Sequence, residues 1–199
     1  MINDDLPSGA TPLMPDDAKG LIPQGISTRG QLDQFESVNI QQGLVWAMKS
    51  QNRKPSDLMN IDFCLKLHKK MFDKTWTWAG QFRRYEVNIG NVPPEQVSVQ
   101  LKNLCDDVLA WVEFETYPYD ELCIRLHHRM VYIHPFPNGN GRHSRIMADL
   151  LLKSLGQSLF TWGNKVDLTH QTESRSEYLS ALRLADKGDF GKLLTFVRM

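Results

Sequence analysis

Apolar residues recur every three or four positions through long stretches of the chain, the spacing shown by one face of an amphipathic helix. The first stretch follows Thr28-Arg29-Gly30-Gln31, which matches a capping box at a helix start. Others run over about 55–71, 100–115, 120–134, 142–152 and 174–187. In the first helix the spacing predicts a buried stripe of Leu32, Phe35, Val38, Leu44, Val45 and Met48. The pattern predicts an all-α protein.

Two segments depart from the helical spacing. Residues 1–27 are rich in Pro, Gly, Asp and Ser and show no sustained periodicity, so we expect an extended N-terminal arm before a helical domain over 28–199. From Tyr85 to Val99, alternating apolar residues are interrupted by Gly90, Pro93 and Pro94. That pattern predicts a short, irregular β-hairpin over about 84–99.

The composition narrows the classes of partner. The length of 199 residues fits one globular domain. The 23 Lys and Arg balance the 23 Asp and Glu, so the net charge is +0 and the protein has no strong overall electrostatic field. This balance argues against nucleic acid or a membrane surface as partner. The three separated cysteines indicate reduced thiols. The chain starts without a basic, then apolar, leader and has no run near the roughly 18 apolar residues of a membrane span, so we expect a cytoplasmic protein.

The most informative stretch is the loop between two apolar helices, residues 134–145, with the sequence HPFPNGNGRHSR. Two glycines around one asparagine let successive backbone N–H groups face one concavity, and the helix that begins near Arg142 adds its positive end. Arg142 and Arg145 are three residues apart, so their guanidinium groups share one helix face. His134 stands beside this phosphate cradle and titrates near neutrality, as a base for a hydroxyl does. The loop indicates phosphoryl or nucleotidyl transfer.

Two other classes of protein, a metallohydrolase and a nucleic-acid-binding module, fit the sequence less well. A metallohydrolase would use His127, His128, His134 and His143, but adjacent helical positions point about 100° apart and no acidic residue has a ligand-like offset. A nucleic-acid module would also use arginines on phosphates, but an aromatic and basic stripe is missing from the sequence. Both are disfavoured.

The loop resembles the signature of the Fic (filamentation induced by cAMP) family, H-P-F-x-[D/E]-G-N-G-R-x-x-R. The resemblance extends over roughly residues 30–199 and includes the segment Trp78-Ala79-Gly80-Gln81-Phe82-Arg83. In detail the sequence is similar to the bacterial group called mobile mystery protein B. It implies a Fic-like helical bundle with a β-hairpin flap. The implied activity is protein adenylyltransfer: AMP passes from ATP, with Mg²⁺ or Mn²⁺, to a Ser, Thr or Tyr hydroxyl of a target protein.

The same resemblance assigns roles within the loop. His134 would deprotonate the target hydroxyl. Asn140 and the backbone of Gly139 and Gly141 would hold the α- and β-phosphates, Arg142 the β-phosphate and Arg145 the γ-phosphate. The related Doc branch has Lys at position 141 and transfers the γ-phosphate, so Gly141 favours nucleotidyl transfer.

One position departs from the signature. Where the family usually has Asp or Glu as the Mg²⁺ ligand, this chain has Asn138. Mg²⁺ prefers anionic oxygen, so an amide weakens the site without abolishing it, because ATP supplies most of the charge. We therefore expect a transferase with weakened metal binding. The alternative is a nucleotide-binding protein with little or no transfer activity, acting as a binding or regulatory module.

The resemblance also implies target docking and inhibition. The flap would hold a target segment by backbone pairing, with Val87, Asn88 and Ile89 as docking positions. Family inhibitory helices carry [S/T]-x-x-x-E-[G/N], whose Glu pairs with the second signature arginine. Glu36 has the right setting in the first helix, although Leu32 and Ser37 break the motif, so it is a candidate partner of Arg145. Inhibition by a separate partner chain is equally open.

Overall fold

The computed structural model describes residues 15–50, 52–87, 91–163 and 172–199, and helices account for most of them. In chain order the helices are α1 (Pro15–Ala18), α2 (Arg29–Met48), α3 (Pro55–Leu58), α4 (Ile61–Phe72), α5 (Val97–Glu113), α6 (Tyr119–Ile133), α7 (Asn140–Ser154), α8 (Glu173–Ala185) and α9 (Gly191–Arg198). The predicted all-α class is confirmed. Among these helices, none has the length and apolar character needed to cross a membrane.

Polar side chains cap three of the longer helices. Thr28 and Gln31 form the predicted capping box at the start of α2. Asn60 accepts the Phe63 N–H at 2.8 Å and starts α4. Thr172 accepts the Arg175 N–H at 3.1 Å, so α8 begins at Glu173. The helix predicted over about 174–187 therefore begins one residue earlier than expected.

The predicted β-hairpin over 84–99 is wrong in its second half. Val97–Val99, expected to be a strand, form the first turn of α5, and a 3₁₀ turn over Pro94–Gln96 leads into it. Prolines lack the N–H that a strand ladder needs and fit the first positions of a helix. No strand forms in the ranges given above, where β-type pairing is limited to one bridge between Leu21 and Trp76.

The first half of that segment is a loop. Val87 is half-buried there, and the docking candidates Asn88 and Ile89 lie outside the described residues.

Helix α2 buries a different face from the predicted one. Its buried residues are Leu32, Glu36, Asn39, Gly43 and Ala47. Phe35, Val38 and Val45 of the predicted stripe are instead 50%, 61% and 68% exposed. The reason is the close packing of α2 on α4: a Cβ on Gly43 would lie 2.9 Å from the backbone of Lys70. Small and polar side chains permit this approach, and it brings Glu36 inside the molecule.

Helices α6 and α7 form the centre of the core. Their buried apolar residues include Leu122, Leu126, Met130, Met147 and Leu151. The candidate loop joins these two helices, because α6 ends at Ile133 and α7 begins at Asn140. Pro135 cannot continue α6, and His134 before it takes a left-handed conformation with φ of 51°. The loop is thus anchored at both ends in helices with many buried residues.

The described part of the predicted arm, residues 15–27, contacts the helical domain. Ile22 N–H donates to Thr75 O at 2.9 Å, and Thr77 N–H donates to Gly20 O at 2.8 Å. The short helix α1 lies within this segment. The indole N–H of Trp78 donates to Asp17 O at 3.1 Å. This stretch therefore packs on the turn after α4 instead of extending away from it.

Candidate active site

The loop between α6 and α7, residues 134–139, has a left-handed residue at each end. His134 has φ of 51° and Gly139 has φ of 78°. Between them, the Asn140 amide accepts the Phe136 N–H at 2.9 Å and donates to Phe136 O at 2.8 Å. The Asn140 side chain was predicted to bind phosphates. In the structure its amide binds the Phe136 backbone and stabilises the turn of the loop.

The imidazole of His134 is oriented as a general base requires. Its Nδ1 lies 3.2 Å from Val131 O. A carbonyl oxygen only accepts, so Nδ1 carries the proton and Nε2 keeps the lone pair. Burial lowers the pKa of His134 to about 4; the nearby Arg83 guanidinium also lowers it, and the Val131 hydrogen bond opposes the shift. His134 is therefore a neutral base at pH 7.

Gly139 is the N-cap of α7 and lies against Phe72 of α4. A Cβ at this position would lie 2.4 Å from Phe72 Cζ, so only glycine fits. Because glycine has no side chain, the cap does not compete for the first backbone N–H groups of α7. Those groups and the positive end of the helix point toward an anion placed over the loop. Gly141 lies one residue into α7, where an added Cβ would meet only Arg145 Nη1, at 3.8 Å.

Arg142 is paired with the acid predicted to pair with Arg145. Its Nη1 lies 2.6 Å from Glu36 Oε2, and the Glu36 side chain is only 2% exposed. The other carboxylate oxygen of Glu36 accepts the Trp76 indole N–H at 2.8 Å. The inhibitory candidate therefore reaches the signature loop, but it contacts the first arginine of the motif instead of the second.

Arg145 lies near Tyr178 of α8, which interacts electrostatically with its guanidinium. The Tyr178 hydroxyl lies 2.8 Å from His127 Nε2. Burial lowers the pKa of Arg145, while Tyr178 and then Asp149 oppose the shift. The two signature arginines thus have separate supports, Arg142 from α2 and Arg145 from α8.

Asn138 lies at the position where the signature usually has a carboxylate. Its Oδ1 accepts the Gly139 N–H at 2.6 Å, so the amide oxygen is already engaged. Its backbone carbonyl accepts from His68 Nε2 at 3.0 Å, and His68 Nδ1 accepts the Gly80 N–H at 3.0 Å. His68 is buried, which lowers its pKa well below the usual value. It is therefore a neutral support of the loop.

The side chains near the loop do not form a protein metal site. No group of three or more His, Cys, Asp or Glu is arranged to hold a metal in the part of the chain that the structure describes. The histidines of the metallohydrolase alternative have separate partners: His127 contacts Tyr178, His128 contacts Asp186, His134 contacts Val131 and His143 contacts Cys64. The engaged, uncharged amide of Asn138 is a poor fit to Mg²⁺.

His134, Asn138 and Gly139 lie on the loop between α6 and α7, and Arg142 and Arg145 lie in the first turns of α7. Three supports come from outside the loop and were not predicted from the sequence: Trp76, which donates to Glu36; Tyr178, which lies near Arg145; and His68, which donates to Asn138 O. The sequence also assigned no role to Arg83, whose side chain is buried. No sequence pattern separates Arg83 from Arg84, because their difference arises only from the tertiary fold.

Comparison with known proteins identifies relatives of the chain. The profile of the Fic/DOC family matches residues 58–152. Protein adenylyltransferase fic-1 of Caenorhabditis elegans is 29% identical over 152 residues, which cover 72% of this chain and 27% of the relative. Protein adenylyltransferase Fic of Drosophila willistoni is 30% identical over 122 residues, covering 60% and 23% respectively. The chain thus spans about a quarter of the length of these curated relatives.

Solved structures share the fold. Fic-1 from Caenorhabditis elegans aligns with a TM-score of 0.68 and 26% identity, over 89% of this chain and 50% of that one. The BepC effector of Bartonella tribocorum, solved with bound AMPPNP, has a TM-score of 0.64 and 19% identity, over 100% and 96%. The matching profile spans α4 to most of α7 and includes the signature loop. The chain therefore contains a Fic/DOC family domain.

Proposed function

We propose that the protein is an adenylyltransferase that transfers AMP from ATP to a Ser, Thr or Tyr hydroxyl of a target protein. The observation that carries the proposal is the joint geometry of the loop: a neutral His134 beside the N-terminus of α7, with Arg142 and Arg145 in its first turns. The relatives named adenylyltransferases, and the neighbour solved with AMPPNP, support ATP as co-substrate.

The chain's own residues account for each part of the reaction. The target hydroxyl gives its proton to His134 Nε2, and its oxygen bonds to the α-phosphorus of ATP. The bond from that phosphorus to the bridging oxygen of the β-phosphate breaks, and pyrophosphate leaves. Backbone N–H groups at the start of α7 and the two arginines stabilise the charge that develops on the phosphate oxygens.

In the proposed reaction the divalent cation is bound mainly by the nucleotide. Mg²⁺ or Mn²⁺ would bind the ATP phosphates and neutralise part of their charge, with Asn138 as a weak ligand. We expect Asn138→Asp to raise the affinity for Mg²⁺ in the presence of ATP, because a carboxylate adds charge at that position. If turnover depends on Mg²⁺ in the same way in both proteins, position 138 does not limit metal binding.

Labelled ATP tests the reaction. Wild-type protein and His134→Ala are incubated with α-labelled or γ-labelled ATP, a divalent cation and cell lysate. Label from the α position alone, lost in the variant, is the expected result. Label from the γ position would mean phosphoryl transfer and would contradict the assignment based on Gly141.

One observation favours the alternative of a nucleotide-binding protein with little transfer activity. The Glu36–Arg142 ion pair, at 2.6 Å, engages a cation that the proposal needs for the β-phosphate. We propose that Glu36 inhibits transfer through Arg142, so inhibition does not require a partner chain. Glu36→Gly is expected to increase automodification, and Asp33→Gly, which alters a half-buried acid of the same helix, serves as control. Unchanged automodification in Glu36→Gly would remove this role.

The segment between Arg83 and Val92 is proposed to present the target. Its described residues form a loop beside the C-terminus of α6, close to His134. Extended backbone pairing with a target segment sets register with little demand on side chains. Deletion of residues 87–91 is expected to abolish labelling of a target while ATP binding is retained.

A further inference from the structure

The guanidinium of Arg83 is buried beside the active-site loop and bound to backbone carbonyls. The residue is 2% exposed. Its Nε donates to His134 O at 2.7 Å, and Nη1 donates to Tyr85 O at 2.8 Å. Its Nη2 donates to Val92 O and, at 3.3 Å, to Ile133 O. One side chain therefore joins four carbonyls from three segments.

These carbonyls belong to two features that the proposed reaction must bring together. Tyr85 and Val92 lie near the two ends of the segment that is proposed to present the target. Ile133 and His134 form the C-terminal end of α6, and His134 is the proposed base. Arg83 thus lies at the junction between the docking segment and the base.

Backbone hydrogen bonds close the same junction on both sides. Arg83 N–H donates to Pro135 O at 3.0 Å, and Asn91 N–H donates to Tyr132 O at 3.1 Å. These bonds align both ends of the segment with the end of α6. These two backbone bonds alone do not fix the distance from the segment to His134, because hydrogen bonds of this kind tolerate small changes in length and angle.

The chemistry of arginine suits this junction. A cation at a helix C-terminus interacts favourably with the carbonyls there, and charge-assisted hydrogen bonds are stronger than neutral ones. They also offset the cost of the left-handed conformation of His134, which is unfavourable for an L-residue. Lysine keeps the charge but lacks the planar fork, so it cannot reach all four carbonyls at once.

We infer that Arg83 is a positioning residue that sets the target-docking segment against His134. This rests on the proposed function, since it assumes that a target hydroxyl arrives from that segment. Arg83 itself donates only to protein carbonyls and does not touch the reacting atoms. Its charge, acting with burial, also keeps the pKa of His134 low.

Activity measurements compare three variants. Arg83→Lys keeps the charge, Arg83→Gln removes it, and Arg84→Gln changes the exposed neighbour as a matched control. With α-labelled ATP and lysate, we expect transfer to fall about tenfold or more in Arg83→Lys and about a hundredfold in Arg83→Gln. Binding of ATP should stay within about twofold, because Arg83 is bonded to neither signature arginine. Arg84→Gln should match wild type.

A readout independent of activity follows the base and the segment directly. Histidine NMR titration should show a slightly higher pKa of His134 in Arg83→Gln than in Arg83→Lys, because burial lowers this pKa more than the Arg83 charge does. Amide exchange at Asn91 should quicken in both variants. Circular dichroism confirms folding, and Arg83→Lys serves alone if Arg83→Gln does not fold.

The outcomes separate the inference from the proposed function. Wild-type protein that labels nothing would count against the proposed function, while the NMR readout would still decide the role of Arg83. Unchanged Asn91 exchange and unchanged transfer in a folded Arg83→Lys protein would overturn the inference. Reduced transfer caused only by weaker ATP binding would also overturn it, because that is a nucleotide effect and not a target effect.

Discussion

Single residues in the loop tolerate different amounts of change. Gly139 has φ of 78° and lies against Phe72, whereas Gly141 has open space around the position of an added Cβ. Both glycines belong to the segment proposed to bind phosphates, but only Gly139 is required by the backbone conformation and by packing.

We expect Gly139→Ala to lower the free energy of unfolding by about 2 kcal/mol or more, because a left-handed alanine and a contact with Phe72 are both unfavourable. Gly141→Ala is the matched control and should change stability by less than about 0.5 kcal/mol. Urea unfolding of both proteins measures the difference. Equal stability of the two variants would mean that the contact with Phe72 is relieved without cost.

At the scale of elements, the contact between α2 and α4 determines where Glu36 lies. Gly43 lies two turns beyond Glu36 and lets α2 approach the backbone of Lys70. Gly30, near the start of the same helix, has nothing within 4 Å of an added Cβ. The two glycines therefore provide a matched pair for testing the element.

Gly43→Ala should push α2 away from α4, lowering the free energy of unfolding by about 1–3 kcal/mol. The same shift lengthens the Glu36–Arg142 contact, so automodification with α-labelled ATP should rise in the folded variant. Gly30→Ala should leave automodification unchanged and raise stability slightly, by about 0.5 kcal/mol. A Gly43→Ala protein with wild-type stability and wild-type automodification would contradict this account of α2.

Local signals predicted most of the longer helices and the loop between α6 and α7, because caps, spacing and the loop motif involve neighbouring residues. Helices α1 and α9 were not predicted. The buried face of α2 was mispredicted because Asn39 and Gly43, not Phe35 and Val38, meet α4. The supports of the loop were also missed. Trp76 and Glu36 are 40 residues apart, and Arg83 and His134 are 51 apart, so these contacts exist only in the folded chain.

For the whole molecule, buried neutral histidines link folding to pH. Burial lowers the pKa of His127 to about 3 and the pKa values of His134 and His143 to about 4, against 6.5 for the free side chain. Between these values the unfolded chain binds protons that the folded chain does not. The contribution of these histidines to the free energy of unfolding is therefore complete above about pH 7 and is lost as the pH falls through 6.5 toward 4.

Lowering the pH from 8 to 5 should reduce the free energy of unfolding by roughly 2 kcal/mol for each of these histidines. Asp149 acts in the opposite sense and offsets part of the loss, because burial raises its pKa to about 6. Urea unfolding at both pH values measures the change, and His134→Ala should show a smaller difference. Equal stability at pH 5 and pH 8 would mean that these histidines are not buried as neutral groups.

The most direct test of the central claim is mass spectrometry of modified hydroxyls. Protein carrying Glu36→Gly, with and without His134→Ala, is incubated with ATP and a divalent cation, and its automodified peptides are sequenced. The account predicts an adenylyl group on a Ser, Thr or Tyr side chain, present only when His134 is intact. A phosphoryl group in its place, or an adenylyl group that persists without His134, would contradict it.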